Sequence, residues 1–218
     1  MTDLDTKDTL RFAVVATDVV LMRMKNGTIE YATLPVDRPP YFSDIPGLLG
    51  GILHTKESAI EAVQRIVREK SAMRDVFPEV YRMGFYDAVD RDPRGRVVSL
   101  AHIGIIADAE TDHGLMWRPL NEKVKLAYDH NAILADAIKF LREHAFISSV
   151  MLSFVKNEFV ISELKSAFDA VLGKEVDKRN FYKFLEELPI KATKRERKFQ
   201  KGRPAKVFKK SKKIPFFI

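Results

Sequence analysis

Residues 51–73 read GILHTKESAIEAVQRIVREKSAM. A short loop opening on Gly51 leads into a stretch predicted helical from Lys56 to about Ser71, with Thr55 at the N-cap position. Ile60, Val63, Ile66 and Val67 recur at helical spacing and form the inward face. Glu57, Glu61, Arg65 and Glu69, each four residues from the next, form a charged stripe on another face. Taken alone, this is an ordinary amphipathic helix. What surrounds it decides whether the stripe is only a solvated surface.

Upstream, Arg11 to Arg23 is rich in Val, Ala and Thr and reads as a strand. Asn26-Gly27 marks a tight hairpin, and Thr28 to Leu34 reads as the returning strand. VDRPPYFSDIPGLLGG, residues 36–51, reads as a Pro- and Gly-rich loop. Downstream, Val80–Tyr86 and Val97–Ile106 read as two strands joined by DAVDRDPRGR. In that connection Asp92-Pro93-Arg94-Gly95 suits a type I turn. Asp129 is placed to cap a helix whose Ile133, Leu134, Ala137, Ile138 and Leu141 make one apolar stripe. Strands mixed with helices make residues 1–145 a layered α/β (α+β) domain.

Residues 146–218 read as a second domain. Ser162 is placed to cap a helix with Leu164, Ala167, Phe168, Val171 and Leu172 inward, closed by Gly173. Asp177 is placed to cap another helix, with Phe181, Phe184, Leu185 and Leu188 at i, i+3, i+4 and i+7. Two β-prone stretches, Ile190–Thr193 and Ala205–Phe208, flank the basic turn RKFQKGRP. Two closely spaced helices followed by a basic hairpin make a winged helix-turn-helix.

Charge divides the chain the same way. Of a net +7, the residues from Met151 onward hold 18 Lys/Arg against 8 Asp/Glu, and the first 150 hold 19 against 22. Such a basic block is a solvated tail or a polyanion-binding surface. With no cysteine, the chain cannot form disulfides, a zinc finger, a thiol nucleophile or a cysteine-held iron–sulfur cluster. No run of about 18 apolar residues is present, so no membrane span is expected. The acidic, polar start MTDLDTKDTL does not suit a signal peptide, and a cytoplasmic location is the expectation.

Gly51, Glu57, Arg65, Val67, Glu69 and Met73 fall on the frame of the Nudix box, which this segment resembles: G, five residues, E, seven residues, then REUXEEXGU. The departures fall mainly on acids. Ile66 replaces the Glu after Arg65, Lys70 replaces the second Glu of the pair, and Ala72 replaces the Gly. In that family the helix presents carboxylates to a divalent metal. Here Ile66, Glu69 and Lys70 sum to zero charge, a poor donor set for a hard cation. The resemblance therefore implies a Nudix-like α/β/α sandwich with a lost or crippled hydrolase site.

Four further motifs follow in order: Asp90–Ser99, Leu126-Ala127-Tyr128-Asp129-His130, Asp177-Lys178-Arg179-Asn180-Phe181 and Gly202-Arg203-Pro204-Ala205. Together with the box, the set resembles the Nudix-related transcriptional regulators of the NrtR type. The resemblance implies a homodimeric bacterial regulator, commonly a repressor of NAD metabolism genes, that responds to ADP-ribose-like nucleotides. Relatives of that architecture respond to sugars such as arabinose. The expected partners are double-stranded operator DNA, a small-molecule effector (nucleotide or sugar) and a second copy of the chain. No catalytic residue, metal ligand or cofactor is assigned. The alternatives are an active Nudix hydrolase of nucleoside diphosphate derivatives with a basic nucleic-acid-binding tail, and a constitutive DNA-binding protein with a vestigial effector domain.

Candidate residues follow from the chemistry. Arg179, with Asn180 and Tyr182 beside it, is the expected base reader of the second helix, and Lys183 shares its face. Lys198, Lys201 and Arg203 belong to the wing tip, and Lys206 is expected on phosphate. For the effector, Arg91, Arg94 and Arg96 match phosphate geometry, joined by Glu57, Arg65, Glu69 and Lys70 of the box. Lys70 stands in place of the lost metal, pairing near Glu69 or with a ligand phosphate. His130 is expected on the surface at a helix start, and Trp117 in the core or at a domain interface. IPFFI, residues 214–218, is expected over the winged helix or in a dimer contact.

Overall fold

A computed structural model describes residues 12–74, 78–107, 112–200 and 203–211. β1 (Val14–Lys25) is the hub of a seven-stranded sheet. It pairs antiparallel with β2 (Thr28–Arg38) through the Asn26-Gly27 turn, where both residues have positive φ. It also pairs antiparallel with β4 (Leu49–Ile52) and parallel with β6 (Val97–Ile106). β5 (Glu79–Tyr86) lies beyond β6, while β3 (Phe42–Gly47) and β7 (Met116–Pro119) add to β2. Residues 36–51, expected as a loop, thus carry β3 and most of β4. Neighbouring strands satisfy their main-chain groups, which outweighs their Pro and Gly content.

Both faces of this sheet are covered, which explains the apolar run Val19–Met22 at the centre of β1. Val19 and Leu21 face α1 (Ala59–Lys70) and its Ala62, Val63, Ile66 and Val67. Val20 and Met22 face the opposite way, toward α2 (His130–His144) and its Ile133, Leu134, Ala137 and Leu141. The layers are those of an α/β/α sandwich.

α1 begins three residues later than expected. Ser58, not Thr55, is its N-cap: the Ser58 hydroxyl accepts from the Glu61 amide at 3.3 Å, and Glu61 accepts from the Ser58 amide at 2.7 Å. Two orphan donors are satisfied at once, an option Thr55 lacks. Asp129 precedes α2 but makes no side-chain cap, because its carboxylate is bound by the Arg91 guanidinium.

A 3-10 helix (Val150–Phe154) leads into β8 (Glu158–Val160), a strand not anticipated from the sequence. α3 (Ile161–Leu172) starts ahead of Ser162, and Glu163 accepts from the Val160 amide at 2.9 Å in place of a serine cap. Gly173, at φ 68°, closes α3 in the left-handed conformation. Asp177 caps α4 (Lys178–Leu185) by accepting from the Asn180 amide at 2.9 Å. β9 (Ile190–Arg197) and β10 (Ala205–Lys210) form the wing, with β10 paired between β9 and β8. This is a winged helix.

The two units share one core. Val20, Met22 and Tyr31 of the sheet belong to the same buried cluster as Met151, Phe154, Leu164, Phe168 and Phe181. Polar ties cross the same boundary. The Arg142 guanidinium donates to the Val171 carbonyl at 3.0 Å, and the Tyr81 and Ser153 hydroxyls share a hydrogen bond at 2.6 Å. Among the described residues no helix is long and apolar enough to cross a membrane.

Candidate functional site

A cavity of about 750 Å³ opens where β1, β2, β4 and β6 meet the 91–96 loop and the end of α1. Its wall carries six cationic side chains, Arg38, Arg65, Lys70, Arg91, Arg94 and Arg96, against two carboxylates, Asp18 and Asp92. Such a wall attracts anions.

The floor is a buried ion cluster. Arg91, far from being a solvated loop residue, is 8% exposed; its guanidinium bonds Asp18 at 2.9 Å and Asp129 in a two-point contact at 2.8 Å. His130 is buried too, contrary to its expected surface position: Nδ1 accepts from the Leu48 amide at 2.9 Å, and Nε2 lies 3.5 Å from Asp18. Burial alone would push the Asp18 carboxyl up, but His130, then Ser99 and Arg91, outweigh it and hold its pKa at about 2. The tight packing explains Gly50: a Cβ there would stand 2.2 Å from the Asp18 carboxylate. Asp18, Asp129 and His130 lie close enough together to resemble a metal-ligand trio. Arg91 already supplies positive charge to both carboxylates, so the trio does not fit a divalent ion.

The box residues form a second, more open cluster. Arg65 donates to both Glu57 oxygens at 2.6 and 2.9 Å and to Glu69 at 3.0 Å. The bond from Arg65 holds Glu57 at about 2 despite some desolvation. Ile66 is fully buried in the α1-side core beneath Gly51. The Lys70 ammonium donates to the Gly50 carbonyl. The three acid positions of the family frame, here Ile66, Glu69 and Lys70, therefore offer one carboxylate, and it is paired to Arg65. These residues do not fit a hard divalent cation.

Several expected effector residues are thus committed to the protein itself. Arg91 serves Asp18 and Asp129, Arg65 serves Glu57 and Glu69, and Arg94 grips Asp92 at 2.7 and 2.9 Å inside the expected 92–95 turn. Three cations on the wall differ. Lys70, Arg96 and Arg38 have main-chain carbonyls as their hydrogen-bond partners and no ion pair among the described residues. Arg38 was missed in the sequence because it falls in a stretch read as loop. Asp18 was missed although its signal was there: a lone acid inside VVATDVVLM must find a partner. Tyr128 completes the wall, its ring 4.4 Å from that of Phe42 between centroids.

The other face belongs to the winged helix. Phe181 and Phe184 are buried, while Arg179, Asn180, Lys183 and the half-exposed Tyr182 line the outer side of α4. Lys198, Arg203 and Lys206 are exposed on the wing; Lys201 and residues 214–218 lie outside the described residues. Two wing arginines instead brace the domain, Arg195 on Glu158 and Arg197 on Glu163. Trp117 is half-buried in β7 under the Arg23 guanidinium, 4.1 Å from its ring centroid, and packs on the α1-side core.

Residues 151–209 match the model of the NrtR DNA-binding winged helix domain. The chain is 20% identical over 206 residues to the ADPR responsive transcriptional repressor NtrR of Acinetobacter baylyi, covering 90% of this chain and 81% of that protein. It is 33% identical over 99 residues to the ADP-ribose pyrophosphatase of Methanocaldococcus jannaschii, a match spanning 43% of this chain and little more than half, 57%, of that enzyme. Its fold matches that of Shewanella oneidensis NrtR complexed with a 27mer DNA at a TM-score of 0.76 and 23% identity, covering 90% of this chain and 93% of the other. A Nudix-like sandwich joined to a winged helix is the shared architecture.

Proposed function

We propose that this chain is an effector-responsive transcriptional repressor. Residues 1–145 sense an ADP-ribose-like nucleotide in the cavity, and residues 146–218 bind operator DNA as one half of a homodimer. One observation carries the reading: an anion-seeking cavity and an outward basic reading helix are built on a single continuous core. The similarity to an ADPR responsive repressor over most of the chain supports the choice of effector class. A ligand can release DNA only by binding the two states of the protein with different affinity, and a shared core is a physical route for that difference.

The chain is further read as a sensor that does not turn over its ligand, because the box positions hold Ile66 and Lys70 where the family frame has carboxylates. The test is a gel shift on duplex DNA from the upstream regions of neighbouring genes, titrated with ADP-ribose, NAD and pentose sugars. Release by ADP-ribose alone is the expected result; indifference to every compound favours a constitutive DNA binder. A second reading, a hydrolase, is favoured by the match to an ADP-ribose pyrophosphatase. Release of AMP from ADP-ribose with magnesium at about 1 per second or faster would put that reading in place of the sensor.

A further inference from the structure

We infer that Lys70 is a built-in counter-cation for the effector, so that a diphosphate binds this cavity without a divalent metal ion. The inference rests on the reading of the cavity as an effector site. Lys70 leaves the last turn of α1 and reaches the Gly50 carbonyl on the cavity wall. A single ammonium there supplies positive charge beside the box loop, where the family frame would gather acids around a metal. The surrounding protein desolvates this ammonium and draws its pKa down; Asp18 and Glu69 pull it up, while Arg38 and Arg65 push it down further. The group thus stands exposed at the cavity wall, between the carboxylates of Asp18 and Glu69 and the guanidiniums of Arg38 and Arg65, with a neutral oxygen as its hydrogen-bond partner.

The ranking of the other cations supports the same assignment. To meet a ligand, Arg91, Arg94 or Arg65 would have to leave a carboxylate. Lys70, Arg38 and Arg96 would exchange a main-chain carbonyl for a phosphate oxygen, a change from a neutral to a charge-assisted hydrogen bond. Three such cations offset most of the charge on a diphosphate, the task a metal ion performs elsewhere.

Calorimetric titration of the full chain with inorganic pyrophosphate and with ADP-ribose, in EDTA and in magnesium, tests this. The wild-type affinities in the two buffers are expected to agree within about twofold. Lys70→Met should weaken binding about tenfold or more in both. Lys70→Glu should lose binding in EDTA and regain part of it in magnesium, because Glu69 and the new acid then form a carboxylate pair. Lys70→Arg keeps the charge and should stay within about threefold of wild type, which separates loss of charge from loss of fold. Wild-type binding that needs magnesium, absence of binding to both probes in EDTA, or unchanged binding by Lys70→Met overturns the inference. Parallel gel shifts separate the two levels. A chain released from DNA by ADP-ribose only in magnesium remains a regulator without this device. A chain that binds pyrophosphate in EDTA but no duplex keeps the device and loses the regulator reading.

Discussion

Asp18 carries the strongest single-residue consequence. Its carboxyl is held at about 2 against an ordinary value of 3.8. A depressed carboxyl stabilises the folded state fully above its unfolded pKa and loses that contribution as pH falls through its folded one. Acid unfolding should therefore show a loss of about 2 kcal/mol between roughly pH 4 and pH 2, absent in Asp18→Asn. That variant should also melt roughly 6–12 °C lower at neutral pH, since it leaves Arg91 with one buried partner fewer, at a cost of about 3 kcal/mol. An Asp18→Asn protein as stable as wild type across this range would show the cluster to be energetically idle. The residue was legible as an oddity, a charge in an apolar strand. Its partners were not, because Arg91 and His130 are more than 70 residues away in sequence and meet it only through the β1–β6 pairing and the start of α2.

At the scale of elements, local chemistry was readable at two helix ends and misplaced at two others. Asp177 and Gly173 cap their helices as expected. Thr55 and Asp129 do not, since a better reciprocal pair lies three residues downstream of one and a buried arginine claims the other. Hence Ser58→Ala should lower stability by about 1 kcal/mol in urea unfolding, and Thr55→Ala by only a few tenths. For α4 and the wing, Arg179→Ala should relax discrimination between operator and scrambled duplex. Lys206→Ala should weaken both alike and reduce the salt slope by about one. Equal losses from the two changes on both duplexes would remove Arg179 from base reading. β8 escaped notice because three residues carry too little periodicity to read, and β10 alone makes them a strand.

The whole molecule is where the division into two domains takes on energetic meaning. The sheet and the winged helix bury their apolar residues against one another, so the full chain should melt in one transition. Phe168→Ala, made in the winged helix, should cost about 3–5 kcal/mol. It should also move the midpoint reported by Trp117, the only tryptophan, which stands on β7 in the other unit. A Trp117 midpoint unmoved while far-UV ellipticity shifts would mean that the units fold independently, and that effector and DNA are not coupled through the core.

The amino-acid sequence by itself determined the four α-helices, the strands β1, β2, β5, β6, β9 and β10, the winged helix, the basic outer face of α4 and the broken acid pattern of the box, because each is written in local spacing and charge. Only the tertiary structure decided which cations remain available to a ligand. Arg91, Arg94 and Arg96 look alike along the chain; among the described residues two of them meet carboxylates and the third meets main-chain carbonyls alone. An ion pair is a property of distance in space, and spacing along a chain does not encode it once the partners come from different elements.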